Sequence, residues 1–300
     1  MSDLDLIQAV SDVAAAGGRS IGPVGGGPGG DAGENRRLPT WFRLGRGLLS
    51  TVVSLAVVLA AWWLFLELFH VQRFIGKGPV DVWRYLVSGS EASVHRKAVL
   101  HESATTLRDA SLGLVCGTLV AVIAAGLFTI WRPLERTVMP IAMVLRSVPL
   151  VAMTPLIVLV FGRDLKAVTV IAGIVTFFPT LVNVALALRS TPQESMDLLA
   201  AYGASRAATL RKVQIPSALP ALFASLRIAA PLALVGALLA EWLATGGGLG
   251  YKIIQSSAMS DYSGLWSRVA LVTLYSMALY KVIGGIEQLV LTRYAPTRRS

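Results

Sequence analysis

The sequence is poor in the residues that build a secreted or catalytic soluble domain. Its 300 residues hold one cysteine and three histidines, and charged side chains make up 15% of them, against about a quarter in a soluble globular domain. A single cysteine, Cys116, excludes an internal disulfide framework and a thiolate metal cluster within one chain. It lies in an apolar run, where it reads as a small buried hydrophobe. The histidines stop at His101, so no histidine base follows any later serine, and activated-serine chemistry needs one within hydrogen-bond reach. His95 and His101, beside Glu102, are six apart and do not share a helix face; all three read as solvated loop residues, and no metal site is expected. The net charge of +10 is spread through short loops between apolar runs. That distribution argues against nucleic acid as a partner, because a nucleic-acid surface collects its cations in one patch.

What is present is apolar length. Hydrophobic residues make up 54% of the chain and the mean hydropathy is +0.65. A helix needs roughly 20 apolar residues to cross a bilayer, and six stretches qualify, near 48–69, 100–130, 138–161, 167–188, 221–243 and 265–291. The expected fold class is an all-α membrane protein with six transmembrane helices over residues 48–292. Ahead of them, residues 1–16 lack the apolar region of a signal peptide. Residues 17–33 carry nine glycines and two prolines, too little apolar surface to offset ordering. Residues 1–35 are therefore expected to form a disordered tail, 36–47 a basic juxtamembrane segment, and 293–300 a basic C-terminal tail. GGGPGG has no GK[ST] after it and makes no nucleotide-binding loop.

Lys and Arg in short flanks mark the cytoplasmic side. Placing both termini inside assigns thirteen such residues to inner segments and eight to outer ones. The 190–220 loop is then cytoplasmic. It is long for a connection and has its own punctuation. Thr191-Pro192-Gln193-Glu194 forms a capping box with proline at the first helical position. Gly203 suits a helix end with positive φ, and Ser205 suits the N-cap of a second short helix that Pro216 should end. Arg206, Arg211 and Lys212 alternate with Ala207, Leu210 and Val213. Such a face fits a partner's groove or an anionic lipid surface.

Gly203-Ala204-Ser205 through Pro216 resembles the cytoplasmic EAA signature of bacterial ABC importer permeases. The Glu-Ala-Ala positions of that signature fall on Asp197-Leu198-Leu199, so the acid survives as aspartate while two leucines replace small residues. Leu145-Arg146-Ser147-Val148-Pro149-Leu150, with Pro155 and Phe161-Gly162, resembles the third span of the nitrate/sulfonate/taurine-type permeases. Glu241-Trp242 with Gly246-Gly247-Gly248-Leu249-Gly250 resembles the end of their fifth span and its glycine-rich turn. The similarity covers about residues 75–292. It implies the type I ABC importer permease fold in the bacterial inner membrane, working as a non-catalytic subunit. It also implies partners: two cytosolic ATPase subunits that bind ATP and Mg, an extracytoplasmic solute-binding protein, and a second permease copy. This chain itself would bind no cofactor. The coupling segment would comprise Asp197, Gly203, Ala204, Ser205, Arg206, Arg211, Lys212 and Pro216.

Charges at membrane depth cost about 2.5–3.5 kcal/mol and are functional candidates. Arg146, between Pro149 and Pro155 on one side and the membrane boundary on the other, either borders an anion pathway or pairs with Asp109 or Glu241. Arg227 reads as a snorkelling residue. Glu241 is expected to bond the turn at Gly246, Gly247, Gly248 and Gly250, which is either a re-entrant gate segment or a tight loop. Trp131 and Trp266 read as interfacial anchors. A channel or secondary transporter would also account for the spans, but not for the capped cytoplasmic loop.

Overall fold

The computed structural model describes residues 40–191 and 193–294, and all regular structure among them is helical. The expected tail over 1–35, Arg36, Arg37, Pro192, Arg298 and Arg299 lie outside the described residues. A boundary at Ala56/Val57 divides the chain, and the packing below is that of the part from Val57 on. The helices are α1 (Thr40–Leu68), α2 (Pro79–Trp83), α3 (Ala92–Ile130), α4 (Arg132–Ser147), α5 (Leu150–Phe161), α6 (Leu165–Arg189), α7 (Gln193–Ala201), α8 (Arg206–Thr209), α9 (Ile215–Ala240), α10 (Gly248–Ala258) and α11 (Tyr262–Tyr294). π-Helical turns Arg84–Ser88, Leu210–Gln214 and Glu241–Thr245 follow α2, α8 and α9.

Among the described residues, four stretches are long and apolar enough to cross a membrane: Ala92–Ile130, Leu165–Arg189, Arg206–Thr245 and Tyr262–Thr292. The pair α4 and α5 makes a fifth if it counts as one span. The third span expected from sequence is thus not one helix, for α5 turns 106° from α4. The cause is local. A residue before proline is pushed out of the helical region, and Val148, before Pro149, sits extended at φ −74°, ψ 127°.

The fifth span departs from expectation in the opposite sense. Pro216 does not end a helix; helical structure runs from Arg206 to Thr245. Just before Pro216 the backbone widens into a π turn, with the Ile215 N–H reaching the Leu210 carbonyl. The five-residue register takes up the place where a proline ring would strike an α turn.

Helix α6 lies in the middle, against α3 on one side and α9 on the other. Without a hydrophobic drive between helices in lipid, small residues and close backbone approach supply the packing. On α3 the buried face reads Gly113, Gly117, Ala121 and Ala125, one residue every four. A Cβ at Gly117 would collide with Thr176, and one at Gly236 of α9 would come within 2.7 Å of the Ala172 Cα. Thr176 Oγ1 returns its proton to the Gly173 carbonyl (3.0 Å), with the Gly113 carbonyl at 3.3 Å. Cys116 falls off this four-residue face and is exposed, contrary to its expected burial.

Candidate functional site

One end of the bundle is built by the 190–220 segment. Helix α7 stops at Ala201, and Gly203 takes φ +67°, where a side chain would be strained. Ser205 caps α8, its Oγ accepting from the Ala208 N–H at 3.2 Å. Gln214 Nε2 and Thr191 Oγ1 both donate to the Leu188 carbonyl at 3.1 Å, pinning the segment to the last turn of α6. The apolar side of the segment is only partly presented outward, with Ala207 exposed and Val213 half-buried. Leu210 is buried in a cluster with Ala121, Phe128 and Leu188, because the continuous helix into α9 rolls that face onto the bundle. Arg206, Arg211, Lys212 and Pro216 remain exposed, as does Asp197. Arg206 reaches back to the Ile130 carbonyl at 3.4 Å. The sequence reading passed over Tyr202, which is 82% exposed at the tip; its place beside Gly203 in the turn was the available signal.

The opposite end holds a buried polar chain. Thr106 lies 24 residues before Ile130 on α3, about 36 Å at the α-helical rise, roughly the hydrocarbon thickness of a bilayer. Glu241 has no solvent exposure. Its Oε2 accepts from the Gly250 N–H (2.8 Å) and from Thr106 Oγ1 (3.0 Å), while Thr106 Oγ1 accepts from the Leu249 N–H (2.9 Å). Glu241 Oε1 has no hydrogen-bond partner among the described residues. Gly246 and Gly248 take φ +70° and +76°, and a Cβ on Gly248 would occupy the Glu241 carboxylate. The turn therefore leads into a short helix, α10, whose first turn is buried on α3.

One turn back along α3, Glu102 takes a bidentate ion pair from Arg268 of α11, at 2.7 and 3.0 Å. Arg268 also donates to Ser256 Oγ of α10 at 3.1 Å. The Tyr85 hydroxyl reaches Asp261 at 3.4 Å, and burial, with the Asp261 charge adding to it, raises the phenol above its ordinary value. Sequence reasoning placed Glu102 in solvent and passed over Arg268. Both are under 9% exposed, since α3 starts at Ala92 and brings Glu102 onto the same face as Thr106. The available signal was the i, i+4 pair Glu102/Thr106 in phase with Gly113 and Gly117. Trp266, expected at the membrane surface, stacks on Trp62 at 5.4 Å and donates to the Ile75 carbonyl.

The other membrane charges resolve differently. Arg227, read as a snorkelling residue, pairs with Glu287 of α11 and lies 5.8 Å from the Tyr280 ring. Arg146 is exposed in the last turn of α4, with no ion pair among the described residues. The two carboxylates suggested for it are taken. Asp109 accepts from its neighbour Arg108 at 2.8 and 2.9 Å, and Glu241 serves Thr106 and Gly250.

The described residues thus form an all-helical bundle with four or five candidate spans, a capped knuckle at one end and a buried polar cluster around Glu241 at the other. The chain belongs to the family of binding-protein-dependent transport system inner membrane components, whose model matches residues 117–295. These ABC importer permease subunits are non-catalytic, multi-pass inner-membrane proteins without bound cofactors. A probable ABC transporter permease protein of Haemophilus influenzae is 30% identical over 78% of this chain and 93% of its own. The riboflavin transport system permease protein RibX of Chloroflexus aurantiacus is 35% identical over 53% of this chain and 59% of its own. Permeases named for formylaminopyrimidine, nitrate, aliphatic sulfonates and taurine are further relatives. Among solved structures, an inward-facing MetNI methionine ABC transporter chain superposes with TM-score 0.54 at 24% identity, over 67% of this chain and 97% of that one. That likeness concerns the fold.

Proposed function

We propose that the chain is a six-span permease of the type I importer class with both termini cytoplasmic, moving a small anionic solute of the sulfonate, taurine or nitrate kind inward by alternating access. Two copies form the pathway, a solute-binding protein delivers from outside, and separate ATPases bind ATP and Mg and drive the cycle. Residues 48–292 are the transporting domain, and 190–220 is the coupling loop. The observation that carries this reading is the knuckle itself. Asp197, Gly203, Ala204, Ser205, Arg206 and Pro216 shape a segment pinned to α6 and continuous with α9, while Tyr202, Arg211 and Lys212 stand outward for a partner. A rigid continuous helix converts a push on the knuckle into movement of α9 and of the Glu241 turn at its far end. A channel needs no such lever.

The test replaces residues 200–216 with a flexible glycine-serine linker. Co-purification with the ATPase should be lost while the permease still inserts; an intact complex would overturn the coupling assignment.

Arg146, Pro149 and Pro155 supply the pathway side of the proposal. An unpaired cation at the 106° break of α4 and α5 would be costly against lipid and is best used facing an anion at the axis between two copies. Glu241, Gly246, Gly247, Gly248 and Gly250 form the outer gate, with the half-satisfied Glu241 as its latch. Replacing Arg146 by leucine at constant expression should lower anion uptake by tenfold or more, and unchanged uptake would sink the pathway role. The relatives named for riboflavin and formylaminopyrimidine support a second reading, an uncharged heteroaromatic solute. Under it the same variant leaves uptake of such a solute unaltered.

A further inference from the structure

A cavity of about 1180 Å³ opens at the knuckle end, between α4 as far as Met143, the end of α3 and the 190–220 segment. Its α4 wall includes Arg132, Arg136, Met139, Pro140 and Met143, flanked by Pro133 and Glu135, and those five fall on one helix face. The order along that face is polar then apolar: two arginines near the helix start, then methionine, proline and methionine toward the membrane. The opposite wall adds Arg206. Glu135, the carboxylate in the lining, is spent on Arg189. Arg132 and Arg136 have no carboxylate partner among the described residues, and Arg206 reaches only a carbonyl. Trp131, 60% exposed at the same level, fits the depth of a membrane–water interface, where its amphipathic ring is favoured.

Basic pockets between membrane helices hold anionic lipid headgroups, and methionines adapt to a flexible chain. We propose that this cavity is the site of one anionic phospholipid. Its phosphodiester is held by Arg132, Arg136 and Arg206, and an acyl chain lies along Met139 and Met143, so that the lipid bridges α4 and the knuckle. A free inorganic anion would use the arginines and leave the methionine wall empty, which is why the amphiphile is favoured.

Native mass spectrometry of the full chain in micelles doped with phosphatidylglycerol or phosphatidylcholine tests this. One phosphatidylglycerol adduct is expected, with phosphatidylcholine bound at least tenfold more weakly. Arg132→Gln with Arg136→Gln should weaken phosphatidylglycerol binding roughly twenty-five-fold, two cationic contacts of about fivefold each. Met143→Trp keeps every charge but fills the tail path, and it too should reduce occupancy. Equal binding of the two lipids, or an unchanged adduct in the double arginine variant, overturns the proposal. Displacement by inorganic phosphate combined with indifference to Met143→Trp reassigns the cavity to small anions. Loss of the adduct whenever the ATPase is bound reassigns it to that protein.

Discussion

Arg268→Met lowers the thermal unfolding midpoint of the detergent-purified chain by roughly 10 °C, and Glu102→Leu added to it restores most of the loss. Removing one partner of a buried pair strands the other charge at a cost of about 3–5 kcal/mol, and a chain of this size loses roughly 2–4 °C per kcal/mol. Here the stranded group would be Glu102, whose two oxygens are both occupied by Arg268. Removing both charges leaves apolar volume that α3 and α11 can pack, and such replacements are often neutral. The pairing also fixes geometry, since Arg268 holds Ser256 of α10 as well as Glu102. The single variant should therefore expose α10 to protease before the rest of the bundle. A midpoint within 2 °C of the parent in Arg268→Met, or no recovery in the double variant, would show that the pair carries no such stability.

The second large effect is graded across three adjacent glycines. Gly248→Ala should destabilise the turn by about 3–4 kcal/mol. A left-handed backbone costs an L residue roughly 1–2 kcal/mol, and dislodging a buried carboxylate from its donors adds about 1–3 kcal/mol. The dislodging is forced, because the new methyl lies where the Glu241 carboxylate sits. Gly246→Ala meets nothing within 4 Å but has φ +70°, so only the backbone strain applies. Gly247→Ala meets nothing within 4 Å and has an extended backbone at φ −131°, and it should be close to neutral. Thermal midpoints of the three variants should fall in the order 247, 246, 248, with Gly248→Ala lowest. Any other order would sink the account of Glu241 as the latch of this turn.

Both predictions concern groups that were unequally legible in the sequence. Glu241 and its glycine turn lie nine residues apart at most, so local chemistry was enough to pair them. Gly203 and Ser205 were equally legible, because a positive φ and an N-cap are properties of one turn. Arg268 and Glu102 are 166 positions apart, and nothing near either residue names the other. Arg227 and Glu287 failed to be paired for the same reason. Pro149 was read as a perturbation of one span, but a residue before proline leaves the helical region outright, and the result is a 106° break. Pro216 misled in the other direction: a single π turn ahead of it let the helix pass through.

The amino-acid sequence by itself determined the solvent, the helical content, the positions of most spans and the capped knuckle. Each follows from apolar run length or from hydrogen bonds closed within a few residues. The tertiary structure alone decided which charges are paired, which face of the knuckle is hidden and which arginines share a cavity. Those depend on how α3, α6, α9 and α11 roll against one another. In a membrane bundle that roll is set by where small residues let two backbones approach, a contact made between segments distant in sequence.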